Sequence, residues 1–116
     1  MIMFNFLIQR CRNVVMTLGS RGALWCRSVD GEIVASDIAC PKVENVVDTT
    51  GAGDSFLGAF GAYLAAALAT SSSIEDEKVV VSCLERACRV ASISVQNEGT
   101  QTSMPIFDDL PEDMKM

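Results

Sequence analysis

Histidine is missing from all 116 residues. Its absence removes Ser-His and Cys-His catalysis and most zinc sites together, leaving carboxylates as the available general bases. Positive charge is also scarce, with nine Lys and Arg against fifteen Asp and Glu and a net charge of −6. Nucleic acid and acidic membrane are therefore excluded as partners, since both require a local excess of Lys and Arg. If phosphate is handled, the positive potential must come from backbone N–H groups, a helix N-terminus and a metal ion. No C-x-x-C pair occurs among the five cysteines, and their number is odd. That usage predicts small buried hydrophobes in a reducing, cytoplasmic compartment. The opening MIMFNFLIQR lacks a basic leading region and a cleavage site, and its apolar run is too short to cross a bilayer, so no membrane segment is read.

What is present describes one small domain: 49% apolar residues, 21% charged, and too few residues for two cores. Asn13 to Gly19 reads as a buried parallel strand ended by glycine. Ala23 to Ser28 and Glu32 to Ser36 flank Val29-Asp30-Gly31, and Asp-Gly between such runs predicts a hairpin. A further extended piece is expected from Ile38 to Val47, with Pro41 favouring a sheet edge. From Gly53 to Ala69 the period changes to that of a helix, apolar nearly all round, which places it in the interior against a sheet. Gly58 and Gly61 on that helix would let a neighbour come close. Ser72 with Glu75, and Ser73 with Asp76, resemble capping boxes that start a second helix near Ile74. Its expected core stripe is Val80, Cys83, Leu84, Ala87, Ala91, Ser94 and Val95, with a Glu85–Arg89 pair outside and Asn97-Glu98-Gly99 as the stop. The acidic end, with Pro105 and Pro111 ahead of and within it, reads as a surface segment with a frayed terminus.

The stretch that carries chemistry is DTTGAGDSF, Asp48 to Phe56. Gly51 and Gly53, just ahead of a helix, leave amide groups open where the helix dipole is positive, which makes an anion cradle. Neither familiar alternative fits: no Lys follows in Walker A spacing, and Phe56 stands where a dinucleotide fingerprint needs a third small residue. A plain tight turn, with Asp54 as a dipole-complementing residue, is the bland reading. Beside an anion cradle, however, Asp54 stands within reach of an alcohol attacking bound phosphorus. Phosphoryl transfer asks little basicity of such a carboxylate, because charge sits mainly on the transferring group.

DTTGAGDSFLGAF closely resembles the C-terminal signature of the PfkB, or ribokinase-like, carbohydrate kinases. VMTLGSRGALW, Val15 to Trp25, resembles the family's strand and Gly-rich turn beside the nucleotide, and GTQTSMP, Gly99 to Pro105, is similar to the end of its cation loop. The resemblance implies an α/β fold, part of a ribokinase-like αβα sandwich with a mostly parallel sheet and one hairpin. It divides the chain into residues 1–12 as an unplaced leader, 13–107 as the C-terminal part of the kinase domain, and 108–116 as an acidic tail. By the same likeness Asp54 is the catalytic base, and Gly51, Ala52 and Gly53 form the anion hole. Thr17, Gly19 and Gly22 lie along the nucleotide, together with Gly53, Asp54 and Cys88, the last standing where the family often has an adenine-facing Asn. Asp48, Thr50, Ser94, Asn97, Gly99 and Ser103 are implied as a potassium site of oxygen donors, although end-capping of a helix also suits Ser94 and Asn97.

The implied reaction is transfer from ATP to D-ribose, giving D-ribose 5-phosphate, with Mg2+ on the nucleotide and K+ as activator. The implied partner is a small sugar, with a homodimer in the full-length form. The family's N-x-x-E magnesium motif and its sugar-binding glycine motif do not occur in this sequence, so it is expected to act as a fragment with little activity alone. Another sugar or nucleoside kinase of the family, a non-catalytic nucleotide-binding remnant and a dinucleotide-binding fragment are the alternatives.

Overall fold

The structure, a computed structural model, describes residues 2–70, 73–99, 105, 108 and 110–115. Helix α1 (Ile2–Ile8) leads into strands β1 (Asn13–Thr17), β2 (Ala23–Val29) and β3 (Glu32–Ile38). Two 18-residue helices follow, α2 (Ala52–Ala69) and α3 (Glu77–Ser94), and a single turn of 3-10 helix at Glu112–Met114 lies near the C-terminus.

The described strands form one sheet in the order β1-β2-β3, antiparallel throughout. This differs from the mostly parallel sheet and the buried parallel strand expected at residues 13–19. The reason is the connection: β1 returns to β2 through Leu18–Gly22, far shorter than the dozen or so residues a parallel crossover needs. Leu18 N–H donates to the Gly22 carbonyl at 2.8 Å and closes that turn. Between β2 and β3 the Asp-Gly hairpin forms as expected. Both central residues have positive φ, 51° at Asp30 and 82° at Gly31, matching the twist of the strands they join.

Alternation along β2 sorts its side chains between two layers. Ala23 and Trp25 face α2 and α3, where Ile38, Phe56, Val80, Leu84, Ala87 and Cys88 complete the main core. Cys26 and Leu24 face the other way, onto Ile8 of α1, so part of the segment expected as a leader covers the second face of the sheet. The result is a thin αβα sandwich. Trp25 is fully buried, its indole N–H donating to Asn13 Oδ1 at 3.1 Å. The guanidinium of Arg27 stacks 4.4 Å from the Trp25 ring and reaches Glu77 at 2.8 Å, tying the sheet to the start of α3.

Residues 39–47 form no strand among the described residues. They run as irregular coil, held at the far end where the amides of Val47 and Asp48 both donate to the Val95 carbonyl. Helix α2 covers the expected span, but only one face is buried. Phe56 and Tyr63 pack inward, whereas Leu57 is 67% and Leu68 43% exposed, and open space lies beside Gly58 and Gly61. By length and composition alone α2 is also apolar enough to cross a membrane; here its inner face packs on α3.

Helix α3 starts three residues later than the Ser73 reading, at Glu77, because Asp76 takes the capping role and accepts from Lys78 N–H at 3.1 Å. Ser73 Oγ instead accepts from Glu75 N–H, and Ser72 lies outside the described residues. The expected stripe is largely buried, with Cys88, Val90 and Ser92 added to it. Arg89 does not pair with Glu85. It holds Asp113 through two hydrogen bonds, at 2.8 and 3.4 Å. The expected frayed terminus is thus corrected for residues 112–115, which are anchored: Met114 is 1% exposed, and Tyr63 O–H donates to its carbonyl at 2.6 Å.

Candidate functional site

A pocket of about 670 Å³ opens between the Gly19–Gly22 turn, the coil after β3, the start of α2 and the inner face of α3. Of the expected nucleotide residues, Thr17, Gly19, Gly22, Gly53 and Cys88 line it, as does Ala52 of the expected anion hole. Gly22 is forced by packing as well as by conformation. Its φ is 93°, and a Cβ there would collide with the Ile38 carbonyl oxygen and stand 2.9 Å from Cys40 N. The turn can therefore lie tightly against the end of β3 only if residue 22 has no side chain.

Gly51 caps α2 in the left-handed conformation, with φ 82° and ψ 2°. This bend presents the first amides of the helix outward. The Ala52 amide donates to the Thr49 carbonyl at 3.2 Å, so it is engaged within the turn. Those of Gly51, Gly53 and Asp54 have no hydrogen-bond acceptor among the described residues. Asp54 is exposed in the first turn of α2, one residue beyond Gly53 on the pocket wall. Amides and a carboxylate that have no partner among the described residues can together bind an anion while accepting a proton from a neighbouring hydroxyl. Next to them, the Ser55 hydroxyl is buried and unpartnered.

Asp48 organises the far side of this turn. Its Oδ1 accepts from Thr50 N–H at 2.9 Å and its Oδ2 from Gly99 N–H at 3.1 Å, so the carboxylate ties its own turn to a residue 51 positions further along the chain. The hydroxyl of Thr50, then the two amides, hold the Asp48 carboxyl below the usual range by favouring its charged form. Three of the expected potassium residues, Asp48, Thr50 and Gly99, are thus brought together. Ser94 and Asn97 sit at the adjoining end of α3, but their side chains donate to their own helix, to Ala91 O at 2.8 Å and Ile93 O at 3.2 Å. That is the capping role. Ser103 lies outside the described residues. No cluster of three His, Cys, Asp or Glu able to hold a metal is found among the described residues.

Some pocket residues were not legible in the sequence. Lys42 is the one charged residue of the lining among the described residues, and Cys40, Phe56 and Ser92 join it. Reading residues 38–47 as a strand concealed Lys42; the Pro41-Lys42 step just ahead of a glycine-rich turn was the available signal. Cys88, almost fully buried on the pocket floor, has its thiol pushed up to about 12, by burial first and then by neighbouring Cys40.

The family described as pfkB family carbohydrate kinase matches residues 3–106. A ribokinase of Mus musculus is 42% identical over 106 residues, covering 90% of this chain and 29% of that protein. A deoxyribokinase of Salmonella typhi is 33% identical over 101 residues, covering 86% and 28%. The structure of Arabidopsis thaliana ribokinase complexed with ribose and ATP superposes with a TM-score of 0.59 at 36% identity, over 81% of this chain and 26% of that one. The chain therefore spans under a third of the length of these relatives. With a match reaching from the first helix past the end of α3, the chain belongs to the pfkB family of carbohydrate kinases.

Proposed function

We propose that this chain supplies the nucleotide and phosphoryl-transfer portion of an ATP-dependent ribokinase, which converts D-ribose to D-ribose 5-phosphate. The observation that carries the reading is the placement of Asp54 beside amides at the start of α2 that have no acceptor among the described residues, on the rim of a pocket lined by Thr17, Gly19, Gly22 and Cys88. Support comes from ribokinases among its relatives, one of them complexed with ribose and ATP.

The base and phosphate of ATP would occupy the pocket, the adenine end towards Cys88 and the phosphates towards Gly53. There the amides of Gly51 and Gly53 hold the charge that builds on the phosphoryl oxygens, with Lys42 on the same pocket wall. Asp54 orients the sugar hydroxyl and takes its proton late in the transfer. The donor set around Asp48, Thr50 and Gly99 is rich in hard oxygens and suits potassium, whose effect would be to fix the two loops that Asp48 already joins. Magnesium would be carried by the nucleotide phosphates, since the described residues offer it no acidic cluster. Five free thiols suit a cytoplasmic location.

The test is a sugar-panel assay on this chain fused behind the portion of mouse ribokinase that it does not cover. ADP release dependent on ribose, and reduced when sodium replaces potassium, is expected. Release with deoxyribose or a nucleoside but not ribose would move the assignment to another acceptor, and no release with any acceptor would remove the kinase reading.

A further inference from the structure

The pocket floor holds two groups that phosphoryl transfer does not use. Cys40, just past the end of β3, and Cys88, in the middle of α3, are 48 residues apart in sequence yet meet in space. Cys40 Sγ donates to the Cys88 carbonyl at 3.6 Å, and Cys40 is near enough to raise the Cys88 thiol further above its ordinary value, after burial. Both line the pocket. The remaining cysteines are elsewhere: Cys11 is exposed, Cys26 packs on the α1 side of the sheet, and Cys83 belongs to the α2–α3 core. Cys40 is half-buried, while Cys88 is almost fully covered, so a reagent entering the pocket meets Cys40 first.

We propose that Cys40 and Cys88 are a dithiol pair which a low-molecular-weight disulfide oxidises to an internal disulfide, and that this bond and an occupied nucleotide pocket exclude each other. The Cys40 thiolate attacks the reagent RSSR, forming a mixed disulfide and releasing one RS⁻; the Cys88 thiolate then attacks the Cys40 sulfur and releases the second. Two protein thiols become one disulfide, and RSSR is reduced to two RSH. Neighbouring thiols need only rotate to reach bonding geometry, provided their Cα atoms can lie within about 7 Å. Closing the bond draws Cys40 towards α3 and with it Pro41 and Lys42, which line the same pocket. Burial pushes both thiols up, so the resting pair is protonated and closure is slow.

The exclusion half of this proposal rests on the nucleotide reading of the pocket, whereas the bond itself does not. The experiment treats the full chain, with Cys11→Ser to prevent cross-linking between molecules, with oxidised glutathione, and follows peptide mapping, circular dichroism and ATP calorimetry. Expected are a Cys40–Cys88 cross-linked peptide, slower formation of it with ATP present, and about tenfold or greater weakening of ATP binding at unchanged far-UV circular dichroism, reversed by dithiothreitol. In a Cys40→Ser variant, treatment should leave ATP binding equal to that of the same variant untreated. Recovery of Cys40 and Cys88 without a cross-link overturns the proposal, as does a cross-linked chain that binds ATP as tightly as the reduced one. Should the reduced chain bind no ATP, the nucleotide reading fails, and the peptide map still decides whether the pair closes.

Discussion

Single residues set the shape of the pocket mainly through backbone demands. Gly22→Ala should cost roughly 2–4 kcal/mol, since positive φ and a collision with the backbone after β3 combine. Gly19→Ala, where φ is also positive but open space surrounds the Cβ, should cost only about 1 kcal/mol. Urea unfolding of the two variants compares them, and equal losses would show that the close approach at residue 22 carries no energy. Asp48 gives a prediction in pH. Its folded carboxyl lies below its ordinary value, so it stabilises fully above about pH 4, and that contribution is lost as pH falls through the lowered value. Asp113, lowered by its hydrogen bonds to Arg89, acts in the same window. Asp48→Asn should therefore flatten the acid limb of the urea midpoint between pH 5 and pH 2 without abolishing it; an unchanged limb would contradict the role given to Asp48.

At the scale of elements, the sequence was most legible where the determinants are local. The Asp30-Gly31 turn needs only two residues with positive φ, and the α3 stripe is a matter of spacing. Non-local determinants were not readable. Residues 39–47 carry valines and a proline as an edge strand would, but they pair with no strand among the described residues. The start of α3 shifted because several capping side chains compete within a few residues, and Asp76 prevailed. The C-terminal turn looked like solvent-exposed acidic chain, and nothing local revealed that Tyr63, 51 residues earlier, would hold Met114. Tyr63→Phe should remove about 1–2 kcal/mol by leaving the Met114 carbonyl without its donor. Protease cleavage after residue 110 should speed up in that variant; an unaltered rate would mean that Arg89–Asp113 alone secures the segment.

Seen whole, the molecule is a slab of 43 × 35 × 21 Å with a radius of gyration of 14.6 Å, broader than the roughly 13 Å of a compact domain this long. Helix α2 lies at the surface of this slab. It is apolar on both faces, yet α3 and the sheet cover only one, and Leu57, Gly61, Ala65 and Leu68 share the exposed side. The expectation of an interior helix came from composition, which cannot report how many neighbours are present. The chain spans under a third of the length of these relatives, and within it α2 is covered on one face only. The isolated polypeptide should accordingly unfold in a broad, low-temperature transition and self-associate as its concentration rises. A sharp, concentration-independent transition at high temperature in calorimetry would contradict this.

The candidate site was legible at its centre, where DTTGAGD unites turn, cradle and carboxylate within one short stretch, and poorly legible at its walls, which come from distant segments such as Lys42 and Cys40. The most direct test of the central claim is Asp54→Asn in the fused full-length enzyme, with ATP affinity and ribose-dependent ADP release measured side by side. Release should fall by about 10²–10⁴-fold while ATP binds as before. Undiminished release in the variant would contradict the account.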